Sequence, residues 1–389
     1  MGPLGDIAKL MRGKGPGSVK IDSTVFQLHY MLTTRLFWGF SILVTAYSMI
    51  GNPVSCACSQ CGSESVPLDA MNTYCWVTAT YTVTKDSKNR FNADGGIGPH
   101  TADDRNYQTY YQWVPFTLAL HGVLFYVPHW LWKMAEGGRI ATMTQDMRLP
   151  VLDHGVLKAR VRTLAVYLRQ TLGSHQSYFV RFVVCDALNV ANVVSAIFLI
   201  DRFLNGKFLD FGIISVRYLR HAGEEVSPFT STFPKLTKCE MRPYGTSGSR
   251  QTIDALCVLA LNVLNEKVYL VLWFWLIILS VLTVVAFVGR VLLMLIRGVR
   301  VPMLESKARS KFSPDIRKSV NALEIGDFFL LSLMARNMDA SGFRLLLKEL
   351  ANGDCPNGLL ENEDQGPLDE EGPMKLTKTS RNRMKECDD

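Results

Sequence analysis

Four long apolar stretches, separated by polar segments, dominate the hydrophobic pattern of the chain. They cover residues 31–51, 113–132, 179–203 and 268–296. A helix needs roughly 20 mostly apolar residues to cross a hydrocarbon core about 30 Å thick, and each stretch comes close to that length. The fourth is the clearest because it carries no charge before Arg290, while Tyr269, Trp273 and Trp275 gather near its other end. Aromatic rings favour the headgroup layer, so the pattern predicts four membrane-spanning helices.

Proline and polar residues inside these stretches restrict what can surround them. Pro128 frees a backbone carbonyl in the second span, which predicts neighbouring helices that satisfy it. At about 100° per residue, one face of the third span collects polar side chains within an arc of about 120°. This stripe faces either other helices, through interhelical hydrogen bonds, or a watery pore, and the sequence leaves both interpretations open. Its members are Arg181, Cys185, Asn189, Asn192 and Ser195.

Composition agrees with an integral membrane protein. Hydrophobic residues make up 48% of the chain and charged residues only 20%. The net charge is +7, but Lys and Arg are scattered through loops and tail, so nucleic-acid binding is not indicated. The spans contain no paired carboxylates, His cluster or nucleophile motif, so we expect neither an enzyme nor a cofactor.

The order of the spans predicts a topology. No apolar signal-peptide core precedes residue 31, so we expect the N-terminus to stay in the cytoplasm and four spans to return the C-terminus there. The predicted soluble segments are a cytoplasmic arm (1–30), two outer loops (52–112 and 204–267), an inner loop (133–178), a cytoplasmic helical region (297–351) and a disordered tail (352–389).

Cysteines support this orientation. The two outer loops hold six of the nine cysteines, on the side of the membrane where disulfides persist. The pair Cys58-x-x-Cys61 has zinc-knuckle spacing, but no second pair or His of suitable spacing accompanies it, so no metal site is predicted. The outer-loop cysteines are Cys56, Cys58, Cys61, Cys75, Cys239 and Cys257.

A short motif at the mouth of the second span is the most specific signal. It consists of Tyr110, Tyr111, Gln112, Trp113 and Val114. The run resembles the YYQWV sequence of the innexins, the gap junction proteins of invertebrates. Similarity continues over about residues 20 to 350, through Glu136-Gly-Gly138, Asn265-Glu-Lys267, Ile325-Gly-Asp-Phe328 and Arg336-Asn-Met-Asp339.

The resemblance implies a disulfide pattern. Innexins carry two cysteines in each outer loop, bridged first to fourth and second to third. Here this implies Cys56 with Cys257 and Cys75 with Cys239. Cys58 and Cys61 are extra to the pattern, and they form either a local link or a bridge between protomers.

The resemblance also implies an architecture: an all-α membrane protein with four spans, disulfide-bonded outer loops and a helical cytoplasmic domain. Subunits would form a ring, an octameric hemichannel at plasma-membrane gap junctions, homomeric or mixed with other innexins, that docks to an opposing hemichannel. It would pass ions and small hydrophilic molecules. The arm would fold into the pore mouth as an amphipathic helix, the alternative being a disordered arm. Its apolar face would be Leu4, Ile7, Leu10 and Met11.

Two other functions stay open. An undocked hemichannel would release small metabolites, and a four-span adhesion or scaffold protein would share stiff, cysteine-rich loops but need no aqueous path. The polar third span, the arm and the YYQWV context favour a channel. Neither outer loop contains an Asn-x-Ser/Thr sequon whose glycan would block docking, which favours junctions over hemichannels.

Overall fold

A computed structural model describes residues 19–59, 61, 66–83, 97, 105–145, 147, 154–220, 228–245 and 247–352. The predicted arm residues Leu4, Ile7, Leu10 and Met11, and the tail beyond Asn352, lie outside the described residues. The chain divides into two units. The first takes the described residues of Ser23–Leu131 and Cys185–Phe287, and the second takes those of Gly15–Asp22, Trp132–Val184 and Val288–Asp389.

Helices form most of the described structure. In chain order they are α1 (Thr24–Gln27), α2 (Thr34–Ile50), α3 (Leu68–Thr78), α4 (Val114–Glu136), α5 (Arg139–Met143), α6 (His154–Gln170), α7 (Gln176–Phe203), α8 (Phe208–Arg220), α9 (Pro228–Thr232), α10 (Ala260–Leu295), α11 (Arg300–Ala308), α12 (Pro314–Ala322), α13 (Ile325–Met334) and α14 (Ala340–Ala351). A π-helical segment, Leu28–Thr33, joins α1 to α2, and 3₁₀ turns cover Tyr110–Gln112 and Arg297–Val299.

Among the described helices, α4, α7 and α10 are long and apolar enough to cross a membrane. Much of their apolar surface faces outward: Phe274, Val281 and Val285 of α10 are exposed, and only 22% of its most apolar stretch is buried. Such a surface suits lipid. Helix α10 begins at Ala260, earlier than the predicted start, because the polar turn containing Asn262 continues the helix beyond the apolar stretch.

The first predicted span, 31–51, falls on α2 and the end of the π segment. Helix α2 has 17 residues, a rise of about 25 Å, and the π segment and α1 extend it towards the N-terminus. The Thr33 hydroxyl donates to the Leu28 carbonyl (3.0 Å), five residues earlier. The Trp275 indole of α10 in turn donates to the Thr33 hydroxyl (2.9 Å).

A five-stranded antiparallel sheet corrects the all-α prediction to a mostly helical one. The strands are β1 (Ser55–Ala57), β2 (Thr80–Val83), β3 (Arg105–Gln108), β4 (Leu236–Met241) and β5 (Ile253–Val258), in the order β1-β5-β4-β2-β3. Strands from two loops that are distant in sequence therefore share one sheet. Each strand is at most six residues long, too short for periodicity to separate it from a loop.

The second unit is helical, with α13 at its centre. All residues of α13 after Ile325 are buried, and Phe329 packs against Phe182 with ring centroids 4.7 Å apart. Within this unit, the motif 336–339 binds the segment 19–22. The Asn337 side chain accepts from the Lys20 N–H (2.7 Å) and donates to the Lys20 carbonyl (2.9 Å).

The Glu136-Gly-Gly138 motif forms the turn after α4. Gly137 and Gly138 have φ of +62° and +81°, a left-handed conformation that glycine adopts without strain. The Glu136 carboxylate accepts the N–H groups of Gly138 (2.8 Å) and Ile140 (2.7 Å), which caps the first turn of α5. The motif therefore shapes the turn between α4 and α5.

Candidate functional site

Two disulfides brace the sheet of the first unit. Cys56 and Cys257 lie directly opposite each other on β1 and β5 and are joined (S–S 2.03 Å). Cys75 of α3 is joined to Cys239 of β4 (S–S 2.02 Å). The bridges close chain loops of 201 and 164 residues, each worth about 5 kcal/mol in the chain-entropy model.

The two bridges lie side by side in the protein interior. The Sγ atoms of Cys56, Cys75 and Cys257 lie within 4.8 Å of one another, and all three residues are buried. Because each sulfur is already bonded to another sulfur, this cluster braces the loops and is not a set of thiolate ligands. The additional pair, Cys58 and Cys61, is joined locally, which corresponds to the first of the two interpretations of these residues.

The motif at 110–114 connects α3 to the start of α4. The Tyr111 hydroxyl donates to the Cys75 carbonyl (3.3 Å), and the Gln112 amide donates to the Trp76 carbonyl. The Tyr110 hydroxyl donates to Thr232 O (3.1 Å). Burial raises the pKa of both phenols, that of Tyr111 to about 12, so both remain protonated donors. The motif thus holds the disulfide-bearing helix against the entry to a span.

The other two members of the motif have different surroundings. Val114 is fully buried, whereas Trp113 is 61% exposed. Trp113 lies directly before α4, where an exposed indole suits the headgroup layer of a membrane.

A charged cluster joins three neighbouring strands of the sheet, β3, β2 and β4. The Arg105 guanidinium of β3 pairs with Glu240 of β4 (2.6 Å) and lies over the Tyr81 ring of β2, 4.7 Å from its centroid. Arg242 pairs with the same carboxylate (2.7 Å). Although burial opposes ionisation, hydrogen bonds from Arg242 and Arg105 hold the pKa of Glu240 below its ordinary value. The cluster is therefore charged at neutral pH and fixes three strands.

Polar residues at the start of α10 anchor the second of the two loops. The Asn262 amide donates to the Pro234 carbonyl (2.8 Å). Glu266 is 2% exposed, forms an ion pair with Lys235 (N···O 3.0 Å) and accepts a hydrogen bond from Lys267 (2.8 Å). Two of these residues belong to the 265–267 motif, so this motif also helps to hold the loop rigid.

The polar stripe of α7 does not share one environment. Arg181 and Ser195 are exposed, whereas Asn189 is 1% exposed and its amide has no hydrogen-bond partner among the described residues. Asn192 donates to the carbonyl of Leu124 in α4 (3.1 Å). That carbonyl lies four residues before Pro128, which has no N–H to offer it. A hydrogen bond between two helices therefore accounts for the polar side chain of Asn192 within the apolar stretch.

Sequence reasoning missed the sheet and most of these loop contacts. The hydrogen bond from Cys56 N–H to the Asn72 side chain (2.8 Å), for example, joins two residues of unremarkable type. Pro128 and the polar stripe of the third span were the signals that pointed to an interhelical contact. Charge signs of Arg105 and Glu240 suggest a pair only after the sheet has brought β3 and β4 together.

Fold and site together define a class: a mostly helical membrane protein whose loops are braced by disulfides on a small sheet. The sequence profile of the Innexin family matches residues 22–353. Innexin inx2 of Schistocerca americana is 40% identical over 342 residues, 86% of this chain and 93% of that protein. Innexin inx2 of Drosophila melanogaster is 37% identical over 339 residues (86% and 91%), and innexin shaking-B of that species 36% over 340 residues (86% and 90%).

The chain belongs to the innexin family. Innexins are gap junction channel proteins of the plasma membrane, and such channels are oligomers. The family is a channel family and is not known for enzymes.

Proposed function

We propose that this chain forms an octameric hemichannel that docks to a hemichannel of the adjacent cell. The docked pair passes ions and small hydrophilic molecules between the two cytoplasms. The observation that carries this proposal is the sheet braced by Cys56–Cys257 and Cys75–Cys239. Docking two flexible loops would cost the free energy of ordering them, and a covalently braced sheet avoids that cost.

The proposed protomer crosses the membrane four times, with α2 and its π-helical extension as the first span. Both termini and the inner loop are cytoplasmic. The bridged cysteines support this orientation, because all six belong to the two proposed outer loops and disulfides persist outside the cytosol. The reverse orientation would expose three disulfides to cytosolic reductants.

The arm at 1–30 lines the pore mouth in this proposal. Its apolar positions Leu4, Ile7, Leu10 and Met11 are spaced for one helical face. Octamers of this chain alone and mixed octamers with other innexins are both proposed. The mass of the purified complex in detergent distinguishes eight subunits from other numbers, and co-purification of a second, differently tagged innexin tests mixing.

Dual whole-cell recording of paired cells that lack endogenous junctions tests the docking. Cells express this chain alone, and dye transfer is measured beside junctional current. The variants are Cys75→Ser and Cys239→Ser, either of which removes the same long-range bridge, Cys75–Cys239. The matched control is the double variant Cys58→Ser, Cys61→Ser, which also removes one disulfide from the same region. That disulfide joins residues only three positions apart, so it does not link the two loops.

Junctional current that is lost in the single variants and kept in the double variant, at equal surface delivery, is the expected result. Current across single-cell membranes without coupling between cells would instead support an undocked hemichannel. Normal surface delivery with neither current nor coupling would contradict homomeric channel formation and favour an adhesion role or an obligatory partner.

A further inference from the structure

The second unit contains an open cavity of about 480 Å³ between α12, α14 and the loop that precedes α12. Its size lies within the range of small-molecule sites. Leu157, Phe312, Ile316 and Leu345 provide apolar walls. Phe312 and Ile316 are at most 9% exposed, so the floor of the cavity is part of the packed unit.

The polar lining has one chemical character. It consists of three cationic side chains, Lys311, Arg344 and Lys348, and three serines, with no carboxylate among the lining residues. The hydroxyls of Ser310 and Ser341 already donate to the Lys311 carbonyl (3.3 Å) and to the Asp339 carboxylate, which leaves the Ser313 hydroxyl as a donor. Lys311 and Lys348 form no salt bridge to any described residue. Three cations above an apolar floor, with no carboxylate among the lining residues, favour an anionic ligand.

The neighbouring carboxylates are engaged elsewhere. Glu305 accepts from the Phe312 N–H (2.9 Å) and from Arg317 (2.8 Å). Asp339 begins α14 and accepts the N–H and the hydroxyl of Ser341. These two acids lie near Lys311 and Arg344 and lower the net positive charge around the cavity, but neither of them lines it.

The loop that carries Lys311 is held in place before any ligand binds. Arg309 has φ of +50°, which ends α11 and reverses the chain. The Ser310 N–H then donates to the Glu305 carbonyl (3.3 Å), in addition to the bond from the Phe312 N–H to the same residue. A fixed loop loses little entropy on binding, so its donors are preorganised.

The bonding of two of these lining residues, Ser313 and Arg344, points to the same ligand chemistry. The Ser313 hydroxyl makes no capping bond to α12, although Ser313 is the N-cap residue that immediately precedes this helix. The Arg344 Nε donates to the Ala340 carbonyl (3.2 Å), which fixes the guanidinium and leaves its two terminal nitrogens for a bidentate contact. A tetrahedral oxyanion with several acceptor oxygens matches this set of donors.

We propose that this cavity binds a phosphate group, carried either by a lipid headgroup or by a soluble phosphorylated molecule. Arg344 and Lys348 of α14 and Lys311 of the loop bind the phosphate oxygens. The apolar walls contact the carbon part of the ligand. The site would make the state of the second unit depend on a phosphorylated ligand.

Isothermal titration calorimetry of the purified full-length protein tests this proposal. The soluble probe is inorganic pyrophosphate. The lipid probe is short-chain phosphatidylinositol 4-phosphate, with decanoate, an anionic amphiphile that carries no phosphate, as the control for acidic lipids in general. The test variants are Lys348→Gln and Lys311→Gln. The matched control is Lys318→Gln, since Lys318 is an exposed lysine of α12 that does not line the cavity.

We expect the affinity to fall about tenfold in each test variant, because each loses one charge-assisted hydrogen bond. The affinity should be unchanged in Lys318→Gln. Binding of the lipid alone assigns the phosphate to a headgroup, and binding of pyrophosphate assigns it to a soluble molecule. Melting curves of each variant identify any that fail to fold, in which case the other carries the test. No binding of either probe, equal weakening by Lys318→Gln, or equally tight binding of decanoate would overturn the proposal.

Discussion

The carbonyl of Leu124 lies inside α4, where the N–H of residue 128 would normally bind it, but Pro128 has no N–H. The Asn192 amide of α7 donates to this carbonyl instead (3.1 Å). The two residues should therefore be coupled. Replacing Asn192 by Leu leaves a carbonyl unsatisfied only while residue 128 is proline.

The expected magnitude follows from the cost of an unsatisfied buried carbonyl. Such a group costs about 1–3 kcal/mol, and interhelical bonds in membranes average about 0.6 kcal/mol with a maximum near 1.7. We therefore expect Asn192→Leu to cost about 1–2 kcal/mol in the natural sequence. In a Pro128→Ala background the alanine N–H binds Leu124 O, and the cost should fall to a few tenths of a kcal/mol.

Thermal unfolding of the four proteins of this double-mutant cycle, in one detergent, measures the coupling. For a unit of this size, about 1 kcal/mol shifts the midpoint by roughly 2–4 °C. A matched control is Asn189→Leu, the same substitution three positions away, where the amide has no partner among the described residues. That variant should raise the midpoint. Additive effects of the Asn192 and Pro128 changes would refute the reasoning.

Three further predictions concern the two units separately. Gly326→Ala places a Cβ 2.4 Å from the His175 carbonyl oxygen and should lower the free energy of unfolding by about 1–3 kcal/mol. The control Gly342→Ala, whose Cβ meets nothing closer than 3.6 Å, should raise it by up to about 1 kcal/mol. Equal melting shifts of the two variants would contradict this prediction. Burial, and then the charge of a neighbouring arginine, lower the pKa of Lys307 from 10.5 to about 7. Between these values the unfolded chain binds more protons, so stability should rise with pH over that window, and Lys307→Met should flatten the rise in melting curves taken across it. Tyr111→Phe removes a buried donor and should lower the midpoint of the first unit by the equivalent of about 1 kcal/mol, and an unchanged midpoint would show that its hydrogen bond to Cys75 contributes nothing.

Some of the structure follows from local sequence. The apolar stretches at 113–132, 179–203 and 268–296 coincide with α4, α7 and α10, because a membrane requires long runs of apolar residues that can be counted. The turn at Gly137 and Gly138 is likewise local, since left-handed backbone favours glycine. The family could be assigned from the run at 110–114, although the contacts that this run makes could not.

The polar stripe of α7 shows where local reasoning ends. Helical periodicity places Asn189, Asn192 and Ser195 on one face, but their surroundings differ. Asn189 is buried, Asn192 binds a carbonyl of another helix and Ser195 is exposed. Periodicity gives the direction of a side chain relative to its own helix, and it carries no information on which neighbour lies in that direction.

By itself the sequence determined the apolar helices, the positions of the cysteines and the family. Only the tertiary structure decided that β1 and β2 of one loop join β4 and β5 of another in one sheet, so that the Cys56–Cys257 pair implied by the family resemblance lies between adjacent strands. The physical reason is the range of the interactions. Helices are specified by contacts between residues three or four apart, which a sequence displays directly. Strands three to six residues long gain their hydrogen bonds from partners far away in the chain, and their pairing exists only once the helices and the sheet have packed.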